Sequence, residues 1–295
     1  MSLSGENNGG TEQMVRLYEK TVWRLKCLAL LPFIAWLSLI NRFRSTRITH
    51  DEGPALSLTS HGTRINTVHL TIESIGRGSV LPSRIVLWLG DEDTVKTPPA
   101  PLRRLLARGL EIRFSRNYGP HTKYYPFVAS DSSLDIPLVT ADDDVLYPRL
   151  WLRGLVCAFR DYPDFINCYL VKVISFSGAE IAGYAHWRMC DSTEPTVRNV
   201  GMGFAGVIYP PEYLRVLKLA GCAFEQSCPK ADDIWLHVQA LRAGYKVRQV
   251  FSRGCRFPLI PGTQEDGLWV TNHAGSNDRQ VRATYTQMDY DTLQS

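Results

Sequence analysis

The sequence lacks most of the features that would classify it at once. Its seven cysteines, Cys27, Cys157, Cys168, Cys190, Cys222, Cys228 and Cys255, form no CxxC pair and no zinc-type spacing with histidine, and their odd count argues against a disulfide framework. Free thiols in a reducing compartment, packed as small hydrophobes, are expected instead. No glycine-rich phosphate loop and no DxDx[TV] nucleophile motif is present. Internal repeats, low-complexity tracts and linkers rich in Gly, Ser or Pro are also missing, so the chain is not expected to divide into independent domains. Nor is there a broad charge excess. Of 33 Lys/Arg and 29 Asp/Glu, residues 1–50 hold 7 and 3, which leaves 26 of each beyond them. That balance disfavours a nucleic-acid binder working through bulk charge.

What the chain does have is a large apolar fraction. Its 295 residues are 44% hydrophobic, 21% charged and 11% aromatic. This excludes disordered and collagenous classes and suits one sizeable α/β core.

The N-terminal segment stands apart. Residues 1–13 are polar and Gly/Asn-rich and are expected to be a disordered lead-in. From Met14, Val15, Leu17, Tyr18, Val22, Trp23 and Leu25 recur at helical spacing, and Cys27–Ile40 carries no charge. That run contains Pro32 and falls short of the ~20 apolar residues of a spanning helix. Trp23, Arg24 and Lys26 before it, Arg42, Arg44 and Arg47 after it, and Trp36 within it suit an interfacial helix on an anionic membrane surface. A helix docked on the core and a short spanning anchor are the alternatives. A secretory signal is disfavoured because no small-residue cleavage site follows. The corresponding location is the cytoplasmic face of the membrane, peripheral or anchored through residues 1–50.

Beyond residue 50, strands and helices alternate. Strands are expected at Ala55–Thr59, Arg84–Leu89, Glu111–Phe114 and Ile136–Thr140, with helices at Asn66–Ile75, Leu102–Arg108, Lys123–Ser130 and Trp151–Phe159. Phe165–Ile174 reads as extended, and Val200–Tyr209 as a glycine-rich segment. Asp232–Ala243 reads as a helix whose apolar face is Ile234, Val238 and Leu241, followed by a strand within Tyr245–Phe251. This order predicts an α/β domain over 51–295, with a mostly parallel central sheet flanked by helices. Residues 51–148 and 149–295 would form the two halves of that domain. Ligands of such sheets sit outside the carboxyl ends of the strands, so the loops Thr59–Arg64, Gly90–Asp93 and Asp142–Asp144 are where a site is expected.

The last of these loops carries the clearest chemistry. Asp142, Asp143 and Asp144 follow an apolar strand directly, and adjacent carboxylates repel unless something offsets the repulsion. A hard divalent cation, Mn²⁺ or Mg²⁺, does so and binds phosphate oxygens at the same time. A solvated acidic turn is the alternative. Asp232 and Asp233 form a second acidic pair at a helix start, where backbone donors and the helix dipole stabilise carboxylates. One could cap while the other projects into a cleft.

The run TADDDVLYP resembles the DxD element of nucleotide-sugar glycosyltransferases of the GT-A fold, and LSLTSHGTRINTVHLTIESI and VLWLGDED resemble their first two strands. GMGFAGVIYPP and CPKADDIWLHVQALRAGYKV resemble acceptor-side segments of bacterial polysaccharide-type enzymes near family 2. The resemblance covers Leu56 to Arg279 and implies a GT-A-like, Rossmann-like sheet, with 51–148 the nucleotide-binding half and 149–295 the acceptor-side half. It further implies an inverting, metal-dependent transfer of a sugar from a nucleoside diphosphate sugar to a glycan or lipid-linked acceptor, in cell-envelope polysaccharide synthesis.

Carried over by position, the resemblance makes Asp142 and Asp144 the outer acids of the DxD, with Asp144 the metal ligand and Asp142 nearer the ribose or sugar. Asp143, a third acid, departs from the minimal motif. Thr59, Ser60 and Arg64 would lie near the nucleotide, Asp91 and Asp93 near the base or ribose, Lys123 at the diphosphate, and His273 at the metal or diphosphate. Asp233, ahead of Asp232, would be the general base. Trp187, Trp235 and Trp269 could stack on sugars, although core positions suit each better. A metal-dependent nucleotidyltransferase or phosphohydrolase and a non-catalytic glycan-binding protein are the rival readings.

Overall fold

The apolar runs pair side by side. In the computed structural model, which describes residues 8–131, 133–264 and 275–295, β1 (Ala55–Ser60), β2 (Arg84–Leu89), β3 (Leu110–Phe114) and β4 (Leu138–Thr140) are mutually parallel in the order β3-β2-β1-β4. Continuous burial of Ala55–Leu58 and Ile85–Leu89 is what a strand covered on both faces requires.

The sheet continues through the second half of the chain. β5 (Ile166–Cys168), β11 (Val207–Tyr209) and β12 (Val247–Gln249) extend it to seven strands in the order β12-β5-β11-β4-β1-β2-β3. Only β11 runs against its neighbours β4 and β5. Short strands β6 (Val171–Val173), β9 (Arg188–Met189) and β10 (Asn199–Gly201) form a side sheet, and β7 (Phe176–Ser177) and β8 (Glu180–Ile181) a small hairpin. The expected single extended segment Phe165–Ile174 is thus broken, because Tyr169 and Leu170 turn inward between β5 and β6.

Helices cover both faces. α2 (Val68–Gly76), α4 (Ala100–Leu106) and α6 (Trp151–Asp161) pack against Leu56, Leu58, Ile85 and Leu87 in one core. α5 (Tyr125–Ser130), α7 (Pro211–Ala220) and α9 (Asp232–Arg242) pack against Val86, Trp88 and Val207 in the other. α3 (Glu92–Lys96) and α8 (Phe224–Ser227) are short. α9 buries Ile234, Val238 and Leu241 as their spacing dictates. It is pinned by buried His237, whose ring contacts Tyr285 Oη at 2.6 Å and the Val197 carbonyl at 2.7 Å.

α1 (Asn8–Phe43) corrects two expectations. Residues 8–13 are helical rather than a disordered lead-in, since extending an existing helix adds a hydrogen bond for each residue fixed; residues 1–7 lie outside the described residues. Its C-terminal turns are docked on the domain rather than lying free. Leu37 is fully buried against Leu70, Leu146 and Ile260. Asn41 donates to Glu73 at 2.9 Å and accepts from Arg104 at 2.9 Å. Glu73 in turn holds Arg108 in a buried ion pair, and Arg108 Nε reaches the Thr46 carbonyl at 2.8 Å. Among the described residues no helix is long and apolar enough to cross a membrane. The other face of α1 leaves Leu25, Leu28, Leu31, Trp36, Leu39 and Phe43 exposed.

Candidate active site

β1 and β4 end side by side, so the loops after them meet. Ser60 closes β1, Arg64 sits one turn further in a short 3₁₀ segment (Gly62–Asn66), and Asp142–Asp144 follow β4. Ser60 Oγ donates to Asp143 at 2.6 Å, and Arg64 bridges Asp143 at 2.9 Å and Asp144 at 3.3 Å. Arg64 is itself held by the Thr263 carbonyl at 3.0 Å. Asp143 is thereby turned into the protein, a structural acid that seats the first loop. Burial pushes its carboxyl up while Arg64 and Ser60 pull it down.

Asp142 and Asp144 face a cavity of about 860 Å³ at the carboxyl ends of β1 and β4. Burial first, and then Asp142, push the Asp144 carboxyl up to about 6, against Arg64 and a 2.8 Å bond from Gln264 Nε2. Asp142 accepts from Lys123 Nζ at 2.7 Å. Among the described residues no hydrogen bond reaches Asp142 Oδ2 or Asp144 Oδ1. Two carboxylates with an oxygen each to spare, one of them reluctant to ionise without added positive charge, suit a hard divalent cation. Among the described residues no group of three or more His, Cys, Asp or Glu is arranged to hold one alone, so other ligands would have to come from substrate or water.

Lys123 connects this half of the cavity to the other. It closes a 3₁₀ segment (Gly119–Lys123) seated by His121, whose buried ring stacks 3.9 Å from Phe224 and contacts the Cys228 carbonyl at 2.7 Å. From there its ammonium reaches Asp232 at 3.3 Å as well as Asp142. Burial alone would depress Lys123, but Asp142, Asp232 and Asp233 lift it well above its ordinary value.

At the start of α9 neither acid caps the helix, contrary to the division of labour expected from sequence. Ala231 is the cap residue, with no side-chain bond. Asp233 instead accepts from the Gly203 N–H at 2.9 Å. A Cβ at Gly203 would lie 3.2 Å from both Asp233 Oδ1 and Lys123 Nζ and would crowd the two. Burial, and then Asp232, push the Asp233 carboxyl up to about 8, against Lys123 and the Gly203 N–H. A carboxyl poised there can hold or take a proton near neutral pH.

The remaining sequence candidates divide. Thr59 faces β2 and donates to the Trp88 carbonyl at 3.1 Å, away from the cavity. Asp91 caps α3 by accepting from the Thr94 N–H at 3.0 Å, and Asp93 is exposed in the same turn; neither lines the cavity. Trp187 and Trp235 are core residues. His273 and Trp269 lie outside the described residues. Sequence reasoning missed Lys172, Tyr184, Arg256 and Gln264, which line the cavity from the side sheet and from loops without periodicity. Lys172 Nζ sits 4.1 Å from the centroid of the Tyr184 ring.

No protein-family model matches the chain, and no curated protein matches it in sequence. Among solved structures it is similar to the mannosyltransferase PcManGT from Pyrobaculum calidifontis, in complex with GDP-Man and Mn²⁺. The identity is 13%, over 92% of this chain and 79% of that one, with a TM-score of 0.52. GalNAc-T7 with UDP, GalNAc and Mn²⁺ matches at 14% identity, TM-score 0.45, over 66% of this chain and 41% of that one. The 4-diphosphocytidyl-2C-methyl-D-erythritol synthase from Anaerococcus prevotii matches at 13%, TM-score 0.45, over 76% and 99%. At these identities the likeness is one of fold, and the first comparison carries it: the chain has a GT-A-type fold.

Proposed function

We propose that the protein is a metal-dependent glycosyltransferase that moves a sugar from a nucleoside diphosphate donor to an acceptor hydroxyl with inversion. The observation that carries this reading is Lys123, which holds Asp142 and Asp232 on one ammonium and so brings the two acidic loops into a single cavity. A bound Mn²⁺ or Mg²⁺ would neutralise charge on the leaving diphosphate.

The chain's own residues supply the rest. Asp142 and Asp144 would hold the ion, Arg64 and Lys123 would add positive charge where the diphosphate lies, and Asp233 would take the acceptor proton as the hydroxyl attacks. Asp232, paired with Lys123 at 3.3 Å, would keep that ammonium in place. The exposed apolar face of α1, with Arg42, Arg44 and Arg47 beside it, supports attachment to an anionic membrane surface at the cytoplasmic face. A glycan or lipid-linked acceptor of cell-envelope polysaccharide synthesis fits that placement.

The test is a panel of nucleoside diphosphate sugars with Mn²⁺ present and chelated. Metal-dependent release of nucleoside diphosphate is expected. Pyrophosphate release from a nucleoside triphosphate would favour a nucleotidyltransferase, and no turnover or binding of any donor would leave a glycan-binding protein.

A further inference from the structure

A second cavity of about 540 Å³ adjoins the first, and Phe257 lines both. One wall is α6 with Trp151 and Gly154; the other is the chain from β12 to Phe257. Its lining is mostly apolar, and for that reason Arg248 stands out. This residue of edge strand β12 is only 9% exposed, yet its guanidinium has no ion pair or hydrogen bond among the described residues. It lies 3.9 Å from the centroid of the Tyr162 ring. Its register neighbour on β5 is the neutral Asn167. Asp161, also in the lining, is paired with Arg160.

Lining the cavity with no ion pair among the described residues, the planar guanidinium fork matches a carboxylate or phosphate in two-point contact. The cavity also touches the machinery of the first. Phe257 packs 5.8 Å from the Tyr147 ring, and the Tyr147 hydroxyl accepts the Asp142 N–H at 3.0 Å.

We propose that this second cavity is an acceptor subsite in which Arg248 receives an anionic group of the acceptor glycan, a sugar carboxylate or a sugar phosphate. Phe251 and Phe257 line the same cavity and offer apolar surface for the attached sugars. The proposal rests on the glycosyltransferase reading for the word acceptor, but the anion site stands on Arg248 alone.

The test is calorimetric titration of the full chain with three oligosaccharides alike except at one end: a terminal glucuronate, a terminal sugar phosphate and a neutral glucose. Mn²⁺-dependent binding of a nucleoside diphosphate to the same preparation is measured separately, so failure of the transferase reading shows there and not here. One or both acidic probes are expected to bind about tenfold tighter than the neutral one, the worth of a charge-assisted pair. The ranking of the two identifies the source of the anion. Arg248→Gln should erase that preference, and Arg248→Lys, which keeps the charge but not the planar fork, should weaken it. Equal binding of acidic and neutral probes by wild type, or a preference that survives in Arg248→Gln, overturns the proposal.

Discussion

Lys123 Nζ lies 3.3 Å from Asp232 Oδ2, on the far side of the cavity from the triplet it also holds. Among the described residues no hydrogen bond satisfies that Asp232 oxygen, so the ion pair with Lys123 is its compensation. Lys123→Ala therefore leaves Asp142, Asp232 and Asp233 facing one another. Its melting temperature should fall further below wild type at pH 8 than at pH 5, because the acids repel only once ionised. A deficit independent of pH would mean that Lys123 acts through packing.

Asp233→Asn separates the base from the donor site. Transfer should drop by about 10²–10⁴, the usual worth of a positioned general base, with donor affinity nearly unchanged. The wild-type rate should rise with pH as Asp233 ionises near 8, and the variant should lose that limb.

The same carboxyl makes a stability prediction. Its folded pKa lies above its unfolded value near 4, so the native state holds the extra proton and wild-type stability declines as pH rises from about 4 through 8. Asp233→Asn should then melt higher than wild type at pH 8.5, with the gain shrinking at pH 5. Equal melting curves at both pH values would contradict the raised pKa.

α1 offers opposite outcomes on its two faces. Leu37→Ala, in the buried contact with Leu70 and Leu146, should cost about 2–5 kcal/mol of stability in denaturant titration. Leu28→Ser and Leu39→Ser together should leave stability nearly unchanged while weakening sedimentation with anionic vesicles. Vesicle binding unaltered by the double variant would refute the membrane role of that face.

Much of this was legible in the sequence because strand-to-loop boundaries carry strong local signals. The apolar runs before Ser60 and before Asp142 marked the two strands whose ends meet at the site, and three adjacent acids have few structural uses. The pair at α9 was found for the same reason, although Gly203 takes up Asp233 in place of the helix N-terminus. Thr59 was misplaced by one step of strand alternation: it faces β2, opposite Trp88, while Ser60 points to Asp143. Asp91 and Asp93 look the same in sequence whether they cap a helix or meet a nucleotide. Lys172, Tyr184 and Arg248 lie on segments too short to show a period, so their place at the cavities comes from the fold.

The central claim is that Asp144 belongs to a metal-dependent nucleoside diphosphate site. Titrating wild type and Asp144→Asn with a nucleoside diphosphate, with Mn²⁺ and after chelation, tests it most directly. The account predicts binding only by wild type with Mn²⁺, while Asp144→Asn stays folded and, without metal at pH 7.5, melts no lower than wild type because its carboxyl is raised to about 6. Nucleotide binding that survives chelation, or that Asp144→Asn retains in full, would contradict it.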